Sequence, residues 1–352
     1  MSNLVGTALG RISGRPAIAP QRWQPPPAPS RAGRTTGTHR LGPIHRIPLP
    51  GAGPEDVLVD RNTGLLYTGL DDGRIIRVDP ADGATALVAA TGGRPLGLEW
   101  ARDGRLLVCE PFRGLLAVDI DTAAIEVLAD SIDGVPLRFC SNAAVTDDGT
   151  VYFTDSSQRH GFEHNMAEVL EHSRTGRLLR LRPGGDPEVV LDGLAFANGL
   201  TLARDQSYAV IVETFEYRLT RFHLAGPRAG TSEVLLDNLP GLPDNLSTGD
   251  DGLFWVALST PRNAALDRLL PRNGILRQLA WTLPERLQPR PERTLWVIGV
   301  DGTGEIRFDL QDSNPPYALV TGVAEFGGRV YLSSLDESAL AWFDLTYLES
   351  PR

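Results

Sequence analysis

Apolar and polar positions alternate along most of this chain with the two-residue period of β-strands, and the alternation recurs in six similar units. Each unit has an apolar stretch, a turn of the Asp-Gly type, a strand rich in β-branched or aromatic residues, and a second strand. The units begin at Glu55, Leu96, Ala143, Asn198, Asp244 and Ala324. Repeats that each form one sheet are typical of a β-propeller. The sequence therefore predicts an all-β, six-bladed β-propeller around a central channel.

Four segments depart from this rhythm. Residues 1–44 are rich in Pro, Arg and Gly, which predicts an N-terminal strap along the surface, or disorder, ahead of a propeller spanning residues 45–352. The segment 43–51 is expected to form a strand that pairs with the last blade and removes its open edge. Residues 158–176 and 260–294 have helical spacing. Because both are taken to follow an inner strand, we expect two helical insertions over one mouth of the channel.

Composition narrows the functional classes. The 352 residues carry a net charge of −10, which argues against a nucleic-acid partner, and all 34 basic residues are Arg, which excludes Schiff-base chemistry on a lysine. No apolar run is long enough to span a membrane, and the first residues lack the apolar core of a signal peptide. We therefore expect a cytoplasmic protein that acts on a small molecule, without a membrane partner. The oligomeric state is not indicated.

One polar residue stands at or near the start of the first strand in four units. These residues are Glu55, Asn142, Asn198 and Asp244, and each precedes its turn glycine or the equivalent position by a similar offset. In a propeller this spacing directs all four side chains into the channel. Two carboxylates and two amide carbonyls suit Ca²⁺ or another hard divalent cation such as Mg²⁺. The alternative is that these residues only cap turns.

Four segments carry a resemblance to a known family: FANGLTLARDQSYAVIVET from Phe196, RFHLAGPRAGTSEVLLDNLPGLPDNL from Arg221, VYFTDSS from Val151 and AEFGGRVYLSSL from Ala324. They resemble the strictosidine synthase-like family, which belongs with the gluconolactonase and senescence-marker group. The resemblance implies a six-bladed propeller whose channel holds a divalent metal, usually calcium, through one Glu, two Asn and one Asp. Carried over, these ligands are Glu55, Asn142, Asn198 and Asp244.

One ligand position departs from the family pattern. The family often reads Phe-x-Asn-Asp where this chain reads Phe139-Cys140-Ser141-Asn142, so either Ser141 or Asn142 is the channel ligand. The strictosidine synthases also have a close cysteine pair in a disulfide. Cys109 and Cys140 do not reproduce that pair and are expected to be buried and reduced.

The resemblance also draws attention to Glu325. In strictosidine synthase a Glu before the last inner strand is the general base of a Pictet–Spengler condensation, and Glu325 is expected at that place. Phe139, Phe162, Phe196, Phe215 and Tyr217 are candidates to line an aromatic pocket. The alternative for Glu325 is a channel residue held by hydrogen bonds.

Two other polar motifs have simpler interpretations. His160 and His164 lie four residues apart, as helical zinc ligands do, but no third ligand accompanies them, so a solvated or lid-facing pair is expected. Asn245 begins an Asn-Leu-Ser glycosylation motif, but beside a predicted metal ligand it would be a poor acceptor.

The leading functional hypothesis is a metal-dependent hydrolase of lactones or related esters. In it Asp244 is both metal ligand and catalytic residue, and Glu325 is secondary. The alternatives are a Pictet–Spengler-type condensing enzyme that uses Glu325 as base, and a non-catalytic ligand-binding propeller. Sensitivity of ester hydrolysis to a chelator would separate the first hypothesis from the other two.

Overall fold

Six four-stranded antiparallel sheets surround a central channel, which confirms the predicted six-bladed β-propeller. The computed structural model describes residues 14–34, 36–39, 41–284 and 290–349. Blade 1 contains β2 (Leu58–Val59), β3 (Leu66–Gly69), β4 (Arg74–Val78) and β5 (Thr85–Ala90). Blade 2 contains β6 (Leu98–Trp100), β7 (Leu106–Glu110), β8 (Gly114–Val118) and β9 (Ile125–Ala129). A short hairpin, β10 (Ser131–Ile132) and β11 (Val135–Pro136), leads to blade 3.

The remaining blades follow in chain order. Blade 3 contains β12 (Cys140–Val145), β13 (Val151–Asp155), β14 (Gly176–Leu181) and β15 (Glu188–Leu194). Blade 4 contains β16 (Ala197–Leu202), β17 (Tyr208–Glu213), β18 (Arg218–His223) and β19 (Ser232–Leu236). Blade 5 contains β20 (Gly241–Thr248), β21 (Phe254–Pro261), β22 (Leu295–Val300) and β23 (Ile306–Asp312). Blade 6 contains β24 (Val320–Phe326), β25 (Arg329–Ser334) and β26 (Ala339–Asp344), completed by β1 (His45–Pro48).

The N-terminal strand β1 closes the ring. It pairs antiparallel with β26, with His45 opposite Trp342 and Pro48 opposite Ala339. The ring of His45 stacks on the indole of Trp342, with 4.1 Å between the ring centroids. This pairing covers the edge that blade 6 would otherwise leave open, as the sequence predicted.

The apolar residues of each blade pack against those of its neighbours. Between blades 5 and 6, for example, Trp255 and Val297 share a buried cluster with Val330 and Phe343. The first strand of each blade lies innermost and contacts the first strands of neighbouring blades. We call the end of the channel where these strands begin the upper mouth, and the end where they finish the lower mouth.

Both insertions contain helices and both rise over the upper mouth. They do not follow innermost strands, as the sequence interpretation assumed. They follow the second strands β13 and β21, which run back toward the upper mouth, and this direction explains why both insertions emerge there. Helix α1 (Asn165–Glu171) lies in the first insertion, and α2 (Ala264–Leu269) and α3 (Gly274–Trp281) lie in the second. None of the helices in the described ranges has the length and apolar character needed to cross a bilayer.

The described part of the N-terminal strap crosses these insertions. Ile18 is buried with Trp281 and Ala167, and the Trp23 indole stacks on His172. His160 is buried rather than solvated, because its Nε2 lies 2.9 Å from Glu171 Oε2, and His164 packs edge-on against Trp281. Residues 1–13 of the predicted strap lie outside the described residues.

Candidate functional site

The innermost strands of blades 3 to 6 share a local irregularity near their upper ends. The pairing register of these strands with their neighbours shifts between Cys140 and Ala143, between Ala197 and Leu200, between Pro243 and Leu246, and between Val320 and Val323. A bulge of this kind re-aims side chains and breaks the strict alternation of a strand. Consecutive polar residues, such as Ser141 with Asn142 and Asp244 with Asn245, therefore both bond to residues of other blades.

A first hydrogen-bonded group connects three blades. Asn245 donates from Nδ2 to Glu55 Oε1 over 3.0 Å, and Asn142 donates from Nδ2 to Asn245 Oδ1 over 3.3 Å. All three side chains are buried. The second oxygen of Glu55, Oε2, is buried and has no hydrogen-bond partner among the described residues. This group therefore contains a carboxylate oxygen with unused accepting capacity.

A second group lies beside the first. Asn198 donates from Nδ2 to Asp244 Oδ1 over 2.7 Å, and Ser141 donates from Oγ to Asn198 Oδ1 over 2.9 Å. Asn198 Nδ2 also lies 3.3 Å from the Thr214 hydroxyl. The structure thus brings all four predicted ligands into two linked clusters. It places Ser141 against Asn198 and Asn142 against Asn245, so both candidates for the uncertain position line the site.

Hydroxyl groups of neighbouring strands fix the backbone of the ligand residues. Thr321 and Ser333 of blade 6 both donate to the carbonyl oxygen of Glu55, over 2.6 and 2.8 Å. Thr154 of blade 3 donates to the carbonyl oxygen of Asn198 over 2.8 Å. Glu55 and Asn198 are therefore each held in place by a blade other than their own.

Gly199 allows the innermost strands of blades 4 and 5 to approach closely. A Cβ atom added there would lie 2.6 Å from Asn245 Cα and 2.7 Å from the carbonyl oxygen of Asp244, both of them backbone atoms. Any larger residue would push these strands apart. The Asn198-Gly199 pair thus combines a predicted ligand with a residue small enough for the neighbouring strand to approach.

At the upper mouth, burial and repulsion between like charges disfavour the ionised form of the carboxylates. The pKa of Glu55 is raised well above its ordinary value, first by burial and then by the negative charges of Asp244 and Asp56. Burial also raises the pKa of Asp244 to about 7. The positive charge of Arg94 lowers the pKa of Glu55. The Nη1 atom of Arg94 is buried and has no hydrogen-bond partner among the described residues. A divalent cation would relieve the repulsion between these carboxylates.

The donor set matches a hard cation. Within the described residues, no cluster of three or more His, Cys, Asp or Glu side chains is suited to an ion, so amides must complete the shell around Glu55 and Asp244. Asp56 is engaged elsewhere, because its carboxylate accepts the backbone N–H groups of Val57 and Leu98. Two carboxylates with amide and hydroxyl oxygens are typical of Ca²⁺ ligation.

Phenylalanines form a continuous wall at the upper mouth. Phe196 packs on Phe139 and Phe215, and Phe139 packs on Phe162, with centroid distances of 4.6 to 5.7 Å. Phe112, half exposed, extends the row outward. Phe139 and Phe196 stand two or three residues before site residues, so the wall lies next to the polar clusters. Tyr217, the fifth predicted pocket residue, instead bonds to Asp267 beneath the Arg262 guanidinium.

Glu325 is not where the sequence interpretation expected it. It lies within β24, one residue from the end, and not before that strand. The upper end of β24 is occupied by Thr321, and four residues of extended chain separate Thr321 from Glu325 by roughly 13 Å. Glu325 Oε2 accepts a 2.6 Å hydrogen bond from the Trp255 indole, and the side chain lines a cavity of about 620 Å³ at the lower mouth. The same cavity is lined by Asp56 and by the predicted ligand Asn142, so it extends from Glu325 toward the upper mouth, and of the four predicted ligands Asn142 faces it.

Asn245 is the site residue that sequence reasoning missed. It was considered only as part of a glycosylation motif, yet it is buried and bridges Glu55 and Asn142. A signal was present, since Asp244-Asn245 and Ser141-Asn142 are both adjacent polar pairs at the start of an inner strand. An interpretation based on strict alternation assigns only one residue of each pair to the channel.

Comparisons with known proteins agree with this architecture. The strictosidine synthase family matches residues 142–227, and the N-terminal region of strictosidine synthase-like proteins matches residues 39–78. The chain is 36% identical to Protein STRICTOSIDINE SYNTHASE-LIKE 7 of Arabidopsis thaliana over 303 residues, covering 83% of this chain and 79% of the relative.

Solved structures of low sequence identity share the fold. A gluconolactonase from Xanthomonas campestris is 15% identical with a TM-score of 0.64, over 93% of this chain and 98% of the other. A calcium-binding protein, regucalcin, from Agrobacterium tumefaciens is 14% identical with a TM-score of 0.60, over 87% and 93% of the two chains.

Proposed function

The chain belongs to the strictosidine synthase-like family, and we propose that it is a metal-dependent hydrolase of lactones or related esters with its site at the upper mouth. One observation carries the proposal. Two carboxylates, Glu55 and Asp244, are held close enough to raise the pKa of Glu55, and Glu55 Oε2 is buried without a partner among the described residues. Arg94 offsets part of this buried negative charge, and a bound divalent cation would neutralise the rest.

The chain offers a complete set of oxygen donors for this ion. Glu55 and Asp244 would supply charge, while the amides of Asn142, Asn198 and Asn245 would supply neutral oxygens. Calcium is the first choice because it accepts mixed carboxylate and carbonyl ligands in flexible geometry, with Mg²⁺ as the alternative. When bound, such an ion polarises an ester carbonyl and stabilises the negative charge that develops on its oxygen.

Asp244 is best placed to handle the proton of an attacking water. Its carboxylate is oriented by Asn198 and by the Ser259 hydroxyl, and the residue is partly exposed to the channel, whereas Glu55 is buried. Burial raises the pKa of its carboxyl to about 7 in the metal-free protein, and a bound cation would lower this pKa and favour the carboxylate, the form that accepts a proton. Asn198 holds the carboxylate in orientation, and Ser141 in turn holds Asn198.

The phenylalanine wall would bind the apolar part of the substrate. Phe139 and Phe196 are both buried beside the polar clusters, and Phe196 has a left-handed backbone with φ of 62°, which is strained for a large residue. Strain of this kind is retained where a side chain must be held in one position. The wall therefore favours lactones and esters with an aryl or alkyl substituent.

The related folds are compatible with this proposal. A gluconolactonase and a calcium-binding regucalcin have the same architecture, so a six-bladed propeller of this form can host both properties. The surroundings of Glu325 speak against the condensing reaction, because its carboxylate accepts the Trp255 hydrogen bond and none of the phenylalanines of the wall lines the cavity that it faces.

The test is turnover of a panel of lactones and aryl esters by the full chain, with and without a chelator, followed by re-addition of Ca²⁺ or Mg²⁺. We expect turnover that is lost on chelation and restored by one of the ions. Turnover that survives chelation would contradict the metal dependence. Binding of these compounds without turnover of any of them would favour a ligand-binding propeller.

A further inference from the structure

We propose that the outer face of the second insertion is a docking surface for an anionic phospholipid membrane. The surface, called the lid face, consists of Ile275, Leu276 and Leu279 on α3 together with Arg268 and Arg272, two exposed arginines that precede α3 in the chain. The three apolar side chains are 39%, 48% and 46% exposed. This surface is independent of the proposed hydrolase site, because membrane binding is measured without turnover.

Helix α3 directs two polar side chains toward the propeller and three aliphatic side chains outward. Its inward side carries Arg277 and Gln278, which are 1% and 2% exposed, beside the buried Trp281, while Ile275, Leu276 and Leu279 face outward. In an ordinary surface helix the apolar stripe faces the core. The reversal means that burial against the propeller does not explain the aliphatic residues of α3.

The inward polar residues bond to backbone groups. Arg277 donates to the carbonyl oxygens of Leu170 and Gln21, over 3.2 and 2.6 Å, and Gln278 donates to that of Ile18 over 3.1 Å. The Trp281 indole donates to the carbonyl oxygen of Pro16 over 2.8 Å. These bonds tie α3 to α1 and to the strap, so the orientation of the helix is fixed and its aliphatic side stays outward.

The charge around the lid face differs from that of the whole chain. The segment 262–284 contains four arginines and one aspartate, whereas the chain has a net charge of −10. The single aspartate, Asp267, is bonded to Arg262 and Tyr217. Arg268 and Arg272 are exposed and form no ion pair with any residue in the described ranges. Aliphatic residues flanked by free arginines are the pattern of a helix that lies in a membrane interface.

A second copy of the chain fits this surface less well. A two-fold dimer through the lid face would bring the Arg268 and Arg272 side chains of both copies together, with no unpaired acid in the segment 262–284 to neutralise them. Anionic headgroups would neutralise the same arginines. The expectation from sequence that no membrane is a partner rested on the lack of a spanning segment, which does not bear on surface binding.

The lid face lies close to the channel entrance, so membrane docking by this face would affect how substrates reach the proposed site. The second insertion rises over the upper mouth, where half-exposed Phe112 begins the row of phenylalanines that leads to the polar clusters. Docking by this face would turn the aromatic wall toward the lipid phase. Lipophilic esters dissolved in a bilayer would then reach the site without crossing bulk water.

The experiment is vesicle flotation with the full chain, using phosphatidylcholine vesicles with and without phosphatidylserine. We expect preferential binding to the vesicles that contain phosphatidylserine. The double variant Leu276→Ser, Leu279→Ser should lower the partition coefficient roughly tenfold or more. The double variant Arg268→Gln, Arg272→Gln should lower binding to anionic vesicles by roughly fivefold per charge and leave binding to neutral vesicles unchanged.

A matched control separates location from general hydrophobicity. The double variant Leu87→Ser, Val127→Ser removes two exposed apolar residues from β5 and β9, on the outer strands of blades 1 and 2, and should bind like the parent protein. The proposal is overturned if the parent protein binds neither vesicle, or if the control loses as much binding as the lid variant. It is also overturned if light scattering shows a dimer that the lid variant converts to a monomer.

Discussion

Both mouths of the channel contain buried carboxylates, but the hydrogen-bond partners and nearby charges of these carboxylates differ. At the lower mouth Glu325 accepts from the Trp255 indole, and burial raises the pKa of Glu99 to about 7 while nearby Arg102 and Arg61 act against that rise. At the upper mouth Glu55 and Asp244 repel each other. Burial and repulsion between like charges are common to both ends, because Asp56 also raises the pKa of Glu99, and Asp250 and Asp251 raise that of Glu325. The upper mouth differs in the buried Glu55 Oε2, which has no hydrogen-bond partner among the described residues, and this free oxygen is the feature that favours a cation.

The same contrast appears inside the blades. Glu110, Asp155 and Glu213 end the second strands of blades 2 to 4 and are fully buried. Each accepts a backbone N–H from the segment that leads into an innermost strand, and Asp155 and Glu213 also pair with arginines. These carboxylates organise the backbone through the bonds they accept. A buried acid in this fold is therefore structural unless its partners are missing.

The largest expected effect is the loss of Asp244. Asp244→Asn keeps the size of the side chain but removes one of the two charged ligands and the group proposed to accept a proton. We expect ester turnover to fall by roughly a hundredfold or more. Bound calcium, measured by elemental analysis after dialysis, should fall with it. Unchanged calcium content in this variant would show that the upper mouth is not the cation site.

Asn245→Ala should have the next largest effect. Removing the amide leaves Glu55 Oε1 without its donor and Asn142 without its acceptor, so we expect metal affinity to fall roughly ten- to a hundredfold. Isothermal titration with Ca²⁺ measures the change. The matched control is Asn62→Ala, an asparagine at the lower mouth, which should titrate like the parent protein. Equal losses in both variants would remove the distinction between the two mouths.

Glu325→Gln should have a small effect on hydrolysis, less than about threefold, because the amide oxygen of the new side chain would still accept the Trp255 hydrogen bond at the far end of the channel. The assay uses the same aryl ester as for Asp244→Asn. A parallel assay with tryptamine and an aldehyde should give no condensation product. A larger loss for Glu325→Gln than for Asp244→Asn would move the reaction to the lower mouth.

The smallest expected effect concerns stability and pH. Burial raises the pKa of Glu99 to about 7, so the folded state binds its proton more tightly than the unfolded chain does. The favourable contribution is complete below about pH 4 and is lost as the pH rises to about 7. Glu99→Gln should therefore gain stability relative to the parent protein between about pH 5 and 8, by no more than about 3 kcal/mol. Urea unfolding in the presence of a chelator measures the difference, and a constant difference across this range would contradict it.

Most of the fold could be predicted from the sequence because short-range patterns of apolar, polar and turn residues determine it. Two-residue alternation with turn signals gave the six blades, and the position of the segment 43–51 ahead of the first repeat gave the closing strand β1. The four predicted ligands also followed from a repeated offset. These features depend on residues close together in the sequence, so they can be predicted without knowing which blades are in contact.

The errors arose where long-range geometry decides. Asn245 enters the channel because a bulge breaks the alternation, and the register of two paired strands is needed to see it. Glu325 was expected before the last inner strand, and only the strand limits show that it lies within β24, one residue from its end. The inward position of Arg277 depends on carbonyl groups of α1 and the strap, more than a hundred residues away in sequence.

The closing strand β1 also determines when the propeller ring can close during synthesis on the ribosome. β1 leaves the ribosome early, but its partner β26 lies almost three hundred residues later, and the hydroxyls that hold the Glu55 carbonyl are 266 and 278 positions downstream. Contacts of such long sequence separation form late and slowly. Blades 2 to 5 can assemble while translation continues, but the closed ring and the fixed position of Glu55 await the final blade. A nascent chain interrupted before β25 would hold most of its blades and an incomplete upper mouth.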